Sequence, residues 1–213
     1  MITADTRIDT APAEAGAKLV PAGALKLPTA VLALDAHPDG KRFFAACLDG
    51  GIYEVGAESG VHRLLAKHSS YASGVRCLPS SGRLISAGYD GVLNWVDPAE
   101  PKPARTVEAH QFWSWKLRVS PDEKLAGSVT GQYLAGGYKY EPAAAPEPTV
   151  KIFETGTGKL RWAFAHLAPV LSVAFSPDSR HIAAANMMGE VGVWDLETGK
   201  QAAAWTTPDF TSW

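Results

Sequence analysis

The sequence predicts an all-β fold made of about four copies of one four-stranded antiparallel unit. Three observations carry that prediction. A Pro-centred turn recurs as His37-Pro38-Asp39-Gly40, Pro79-Ser80-Ser81-Gly82, Ser120-Pro121-Asp122-Glu123 and Ser176-Pro177-Asp178-Ser179, at spacings of 41, 42 and 56 residues. His68, His110 and His166 each stand 11 residues ahead of the Pro of their unit, so two markers keep one phase. An aromatic followed by a small or acidic residue recurs as Tyr53-Glu54, Trp95-Val96, Phe153-Glu154 and Trp194-Asp195. Self-similarity at about 40 residues denotes a repeat architecture in which neighbouring units share their core.

Each unit reads as four strands in order. The first precedes the Pro turn, with Leu117 and Val119 in one copy and Val170, Val173 and Phe175 in the next. The second follows the turn, at Arg42–Ala46, Arg83–Ser86 and His181–Ala184. Asp49-Gly50 and Asp90-Gly91 then mark tight hairpins, because Gly tolerates the positive φ such turns require. Third strands fall at Gly51–Val55, Val92–Val96, Val150–Glu154 and Glu190–Asp195. A Gly-bearing loop leads to a fourth, at Val61–Leu65, Leu160–Phe164 and Gln201–Trp205. Four strands per unit of about 40 residues is the signature of a propeller blade. The expected blades are 28–66, 67–108, 109–164 and 165–205, after a flexible extension over 1–16 and before the start of a further blade at 206–213.

Composition narrows the function. Of 213 residues, 46% are hydrophobic and 20% charged, so the chain has the material for a folded core. A net charge of −2 lacks the basic field of a general nucleic-acid or acidic-membrane binder. No run approaches the ~20 apolar residues needed to span a bilayer. The polar start, with Asp5, Arg7, Asp9 and Glu14, has no signal-peptide pattern, and a cytoplasmic protein is expected. Cys47 and Cys77 lie on expected strands and read as small buried apolar residues.

These units resemble WD-repeat β-propeller blades, over roughly Val31 to Trp205. The second unit keeps the family pattern best. The resemblance implies that His68, Ser86, Asp90 and Trp95 form a buried structural tetrad, in which Asp holds His, His contacts Ser, and Ser reaches the Trp indole. The fourth unit keeps His166, Trp194 and Asp195 but has Ala184 and Met188 at the Ser and Asp positions. The third keeps His110 and Ser128, with Phe153 for Trp and no matching turn Asp. The first has Asp49 and Tyr53 but Leu27 where His would sit.

Family rings usually hold about seven blades, needing roughly 300 residues. The chain is therefore expected to form an incomplete ring, as a fragment of a longer protein or a half-ring completed by a second copy. Self-association through its open blade edges is a further expectation. Lys18 to Leu27 is expected to supply an outer strand for the missing last blade.

The third unit is longer than its neighbours, with the excess in Gln132 to Pro148. In the family this loop and the His-bearing loop share one face of the disc. Phe112, Trp113, Tyr133, Tyr138 and Tyr140 are thus candidate anchors for a protein or peptide partner, since aromatics bury large areas with few rotors. The other reading is that they pack the insertion onto its blade. Trp115 shares strand parity with Leu117 and Val119 and is assigned to the core.

Motifs for chemistry are scarce. Thr155-Gly156-Thr157-Gly158-Lys159 runs into Leu160 and lacks the upstream Gly of a phosphate loop. There is no Gly-x-Ser-x-Gly elbow, and the six histidines include no pair at metal-ligand spacing. No cofactor, metal or catalytic residue is expected. The Glu154–Trp162 and Asp195–Lys200 stretches, with Trp205, also resemble blades of quinone-dependent dehydrogenases, which would imply a quinone and calcium. A propeller module within a larger multidomain enzyme is a third reading. The resemblance to WD repeats implies a non-enzymatic interaction scaffold.

Overall fold

The computed structural model describes residues 24–136, 139–142 and 147–207. They form four four-stranded antiparallel sheets and one separate hairpin, with no helix among the described residues. The first sheet holds β1 (Val31–Ala36), β2 (Arg42–Cys47), β3 (Gly51–Gly56) and β4 (His62–Lys67). The second holds β5 (Ala72–Cys77), β6 (Leu84–Gly88), β7 (Val92–Asp97) and β8 (Glu100–Glu108). In the third, β9 (Lys116–Val119) and β10 (Leu125–Val129) are followed by β13 (Val150–Glu154) and β14 (Leu160–Phe164). The intervening β11 (Tyr133–Gly136) and β12 (Lys139–Pro142) make the hairpin. The fourth sheet holds β15 (Val170–Phe175), β16 (His181–Asn186), β17 (Glu190–Asp195) and β18 (Gln201–Thr206). Strands pair in chain order within each sheet, and the first strands of successive sheets lie side by side. The sheets stack as propeller blades in an arc that does not close among the described residues.

Consecutive side chains of a strand point to opposite faces, so every blade has two apolar faces. On β6, Leu84 joins Phe44, Ile52 and Val75 in a core between the first and second sheets. Its neighbour Ile85 joins Leu93, Leu117, Ala126 and Phe153 between the second and third. Val129, Val150, Ile152, Ile182 and Trp194 form the core between the third and fourth. The rear of the first sheet presents Ala45, Cys47, Tyr53 and Val55, and Leu27 packs there. Of the outer strand expected over Lys18 to Leu27, residues 18–23 lie outside the described residues, and 24–27 form no strand, with Leu27 packing on this rear face. The extension 1–16 and residues 208–213 lie outside the described residues.

Each Pro turn holds one left-handed residue with φ between 60° and 69°: Gly40, Glu123 and Ser179 two residues after the Pro, and Gly82 three after it, in a turn one residue wider. In the third and fourth blades the turn is closed by its own Ser and Asp: Ser120 Oγ donates to Asp122 Oδ1 at 2.6 Å, and Ser176 Oγ to Asp178 Oδ1 at 2.5 Å. Polar bonds then link blade to blade at this end. Glu123 accepts from the Ser80 backbone N–H and hydroxyl, and Ser179 Oγ accepts from Asp122 N–H. Third and fourth strands also donate forward to the next sheet. Arg63 reaches Pro98 O at 2.7 Å, Trp95 Nε1 reaches Thr155 O at 2.7 Å, and Trp162 Nε1 reaches Leu196 O at 3.0 Å.

Candidate functional site

Antiparallel pairing brings the loops between sheets and the turns between second and third strands to one end of every blade. The Pro turns occupy the other end. The loop end carries two layers, a buried acid–histidine–serine network and an aromatic cluster.

In the second blade, His68 Nδ1 lies 3.0 Å from Asp90 Oδ1, and Nε2 lies 2.9 Å from Ser86 Oγ. A carboxylate only accepts, so Nδ1 carries the proton and Nε2 accepts from the Ser86 hydroxyl. Asp90 also accepts from the Ser69 and Val92 backbone N–H groups, which ties the β6–β7 turn to the preceding loop. Burial pushes the Asp90 carboxyl up, but the bonds from His68 and those two N–H groups outweigh it and hold it below its ordinary range.

Trp95 is not part of this network. Its indole donates to Thr155 O in the next blade and not to Ser86. The register explains the correction: Ser86 pairs with Asn94, while Trp95 pairs with Ile85 and faces the third sheet. Asn94 stands in the position expected for Trp95, with Nδ2 3.5 Å from His68 Nε2 and Oδ1 accepting from Thr106 Oγ1 at 2.8 Å. The phase was legible in the sequence. Trp95 comes four residues after Gly91, whereas Trp194 comes five after Gly189, and one residue reverses the face.

The third blade builds the network differently. His110 Nε2 lies 2.8 Å from Ser128 Oγ, which lies 2.8 Å from Ser114 Oγ. Glu147, at the end of the insertion, replaces the turn Asp. Its Oε1 accepts from Gln111 N–H at 2.5 Å and lies 3.9 Å from His110 Nδ1, and its Oε2 pairs with Lys151 Nζ. Lys151 also donates to Ala109 O at 2.7 Å. His110 Nδ1 is buried without a hydrogen-bond partner. Burial, with Lys151 nearby, lowers the imidazole pKa to about 3, so His110 is neutral. Glu147 was missed in the sequence because it lies 36 residues from Gln111, beyond any local turn pattern.

The first and fourth blades substitute further. Tyr53 Oη donates to Asp49 Oδ2 at 2.7 Å where no histidine is present, and this bond raises the phenol pKa to about 12. His166 Nε2 lies 3.3 Å from Glu190 O, and its ring meets Trp194 edge-on at 5.7 Å.

Above this layer lies the aromatic cluster. Trp113 stacks on Phe112 (4.7 Å, 21°) and on Tyr89 (4.7 Å, 8°). Phe112 and Tyr89 make no ring contact with each other, so they cover opposite faces of the indole. Tyr71 lies 5.7 Å from Tyr89, and Trp115 meets Trp113 edge-on at 5.4 Å. Trp113 is 38% exposed and Tyr71 47%. Trp115 is half-buried and joins the cluster as well as packing against the core of the third and fourth sheets. Its indole donates to Gly131 O at 2.7 Å. Strand parity gave its burial but not its partners, because β9 begins only at Lys116.

The insertion is rooted beside this cluster. Thr130 Oγ1 donates to Trp113 O at 2.6 Å, and Glu147 receives Gln111 N–H, so both roots grip the 110–115 loop. Tyr133 and Tyr140 stand on the paired strands β11 and β12, with Tyr140 opposite Ala135. Tyr138 lies outside the described residues. Of the five candidate anchors, the structure thus brings Phe112 and Trp113 together, and it adds Tyr71 and Tyr89. Neither tyrosine carries a sequence signal of its own; each sits in a loop that only the repeat phase brings to this end.

Repeated four-stranded blades in an open arc define a propeller architecture. Residues 158–195 match the family model described as WD domain, G-beta repeat. WD repeat-containing protein SL1-17 of Schistosoma mansoni is 25% identical over 124 residues, covering 57% of this chain and 36% of that protein. The crystal structure of the computationally designed protein Ika8 aligns with a TM-score of 0.64 at 19% identity, covering 82% of this chain and 48% of that one. The last shows the fold. The chain spans about a third of the length of this curated relative. One blade of the chain thus matches a WD repeat, a kind of repeat that generally mediates protein–protein interaction, and the chain is similar over part of its length to a WD repeat-containing protein.

Proposed function

We propose that the chain is an interaction scaffold that seats a protein or peptide partner on its loop end, over the aromatic cluster and beside the insertion. One observation carries this reading: Tyr71, Tyr89, Phe112 and Trp113 form a continuous aromatic surface with two large rings open to solvent. Exposed aromatic clusters bounded by polar loops are the usual anchors of protein interfaces. Beneath them, the His68 and His110 networks fix the loops, so the surface is held ready and little ordering cost falls on binding. The test is affinity capture with the wild-type chain and a Tyr71→Ala/Trp113→Ala variant, with hydroxyl-radical footprinting of the captured complex. The scaffold reading expects loss of the partner by a variant of unchanged circular dichroism, and protection of the 68–71 and 110–115 loops. A variant that unfolds, or a footprint on the Pro-turn end, overturns it.

A further inference from the structure

The aromatic cluster restricts the chemistry of its ligand. Trp113 is sandwiched, so both faces of its indole are already occupied. A quaternary or methylated ammonium needs an open ring face, and so does a stacked nucleobase. At Trp113, what the stack offers solvent is the edge of the indole. Among the described residues, Trp113 Nε1 and the hydroxyls of Tyr71 and Tyr89 donate to no protein acceptor. Parallel ring edges with free donors form ridges and slots that carry N–H and O–H groups.

The geometry points to a proline-rich peptide in polyproline II conformation as the ligand of this surface. The inference rests on the loop-end reading above and gives that partner its chemical class. Three features favour it. Two steps of the near-parallel stack, each 4.7 Å, match the roughly 9 Å advance of one polyproline II turn. Such a peptide keeps its backbone carbonyls free, having no internal hydrogen bonds, and those carbonyls are the acceptors the three unused donors require. The pyrrolidine rings supply stiff apolar bodies for the slots between aromatic edges, and the preformed helix loses little entropy on docking. Trp113 and Tyr89 are then specificity-determining: each presents a donor beside a ring.

The test uses the whole chain with three probes: decaproline, an alanine-rich helical peptide of equal length and a Gly-Ser peptide. Binding is read by calorimetry and by the indole N–H resonance of Trp113. Decaproline is expected to bind at least tenfold more tightly than either control and to shift that resonance. Trp113→Phe, which keeps a ring and removes the N–H, is expected to weaken decaproline roughly tenfold, as the loss of one hydrogen bond would. Tyr89→Phe is expected to weaken it several-fold, with unchanged circular dichroism in both variants. Equal binding of all three probes, or none by decaproline, overturns the proline-rich assignment. If partner protection at 68–71 and 110–115 persists in that case, the loop-end scaffold stands with another ligand class; if it is absent as well, both fall.

Discussion

At the scale of single residues, the buried networks show how one hydrogen-bonding task is met by different side chains. His68 and Ser86 do it with Asp90 and Asn94, His110 does it with Glu147, and Tyr53 replaces the histidine outright. Ser86 and Trp95 point to opposite faces of the second sheet and share no hydrogen bond, so Ser86→Ala and Trp95→Phe should be additive in urea unfolding to within about 0.5 kcal/mol, whereas His68→Ala with Ser86→Ala should couple by about 1 kcal/mol. His110 gives the pH dependence. Its pKa is about 3 when folded against an ordinary 6.5, so between those values the unfolded chain binds the extra proton. Its contribution to stability is complete above pH 6.5 and is lost as pH falls towards 3. His166, also lowered by burial, acts in the same direction. The urea midpoint is expected to fall from pH 7 to pH 4, and His110→Gln should flatten that fall. The histidines were legible from phase alone. Asn94 was legible only through strand parity counted from Gly91, and Glu147 was not legible, because it depends on where a long insertion returns.

At the scale of elements, turn chemistry was the most legible part of the sequence. Asp-Gly hairpins and Pro turns appear where they were read, and their left-handed positions explain the glycines. Position in the fold still decides the cost of change. At Gly91 (φ 76°) an added Cβ would meet the His110 carbonyl, whereas at Gly40 (φ 67°) it would meet nothing within 4 Å. Gly40→Ala should cost about 1 kcal/mol, from backbone strain alone. Gly91→Ala should cost at least about 2 kcal/mol and disturb the Trp113 loop, seen as a change in near-ultraviolet circular dichroism. The aromatic marker misled because it mixed positions. By register, Val55, Val96, Phe153 and Trp194 are the equivalents, each packing against the sheet before or its cover, and Tyr53 and Trp95 are offset from them.

At the scale of the whole molecule, the repeat phase gave blade order and shared cores without any knowledge of contacts, since period and alternation together fix which positions face a neighbour. Leu93 and Val191 are equivalent on their third strands, as are Trp95 and Val193. Leu93 is fully buried between blades, while Val191 and Val193 on the last sheet remain half-buried. Leu93→Asp should prevent folding, because it buries an unpaired charge. Val193→Asp should change the thermal midpoint by only a few degrees, which differential scanning calorimetry would show. The forward bonds of Arg63, Trp95 and Trp162 have a consequence for biosynthesis. In each, the donor belongs to the earlier module and the accepting carbonyl to the later one, so a chain emerging amino end first from the ribosome carries every berth before its occupant arrives.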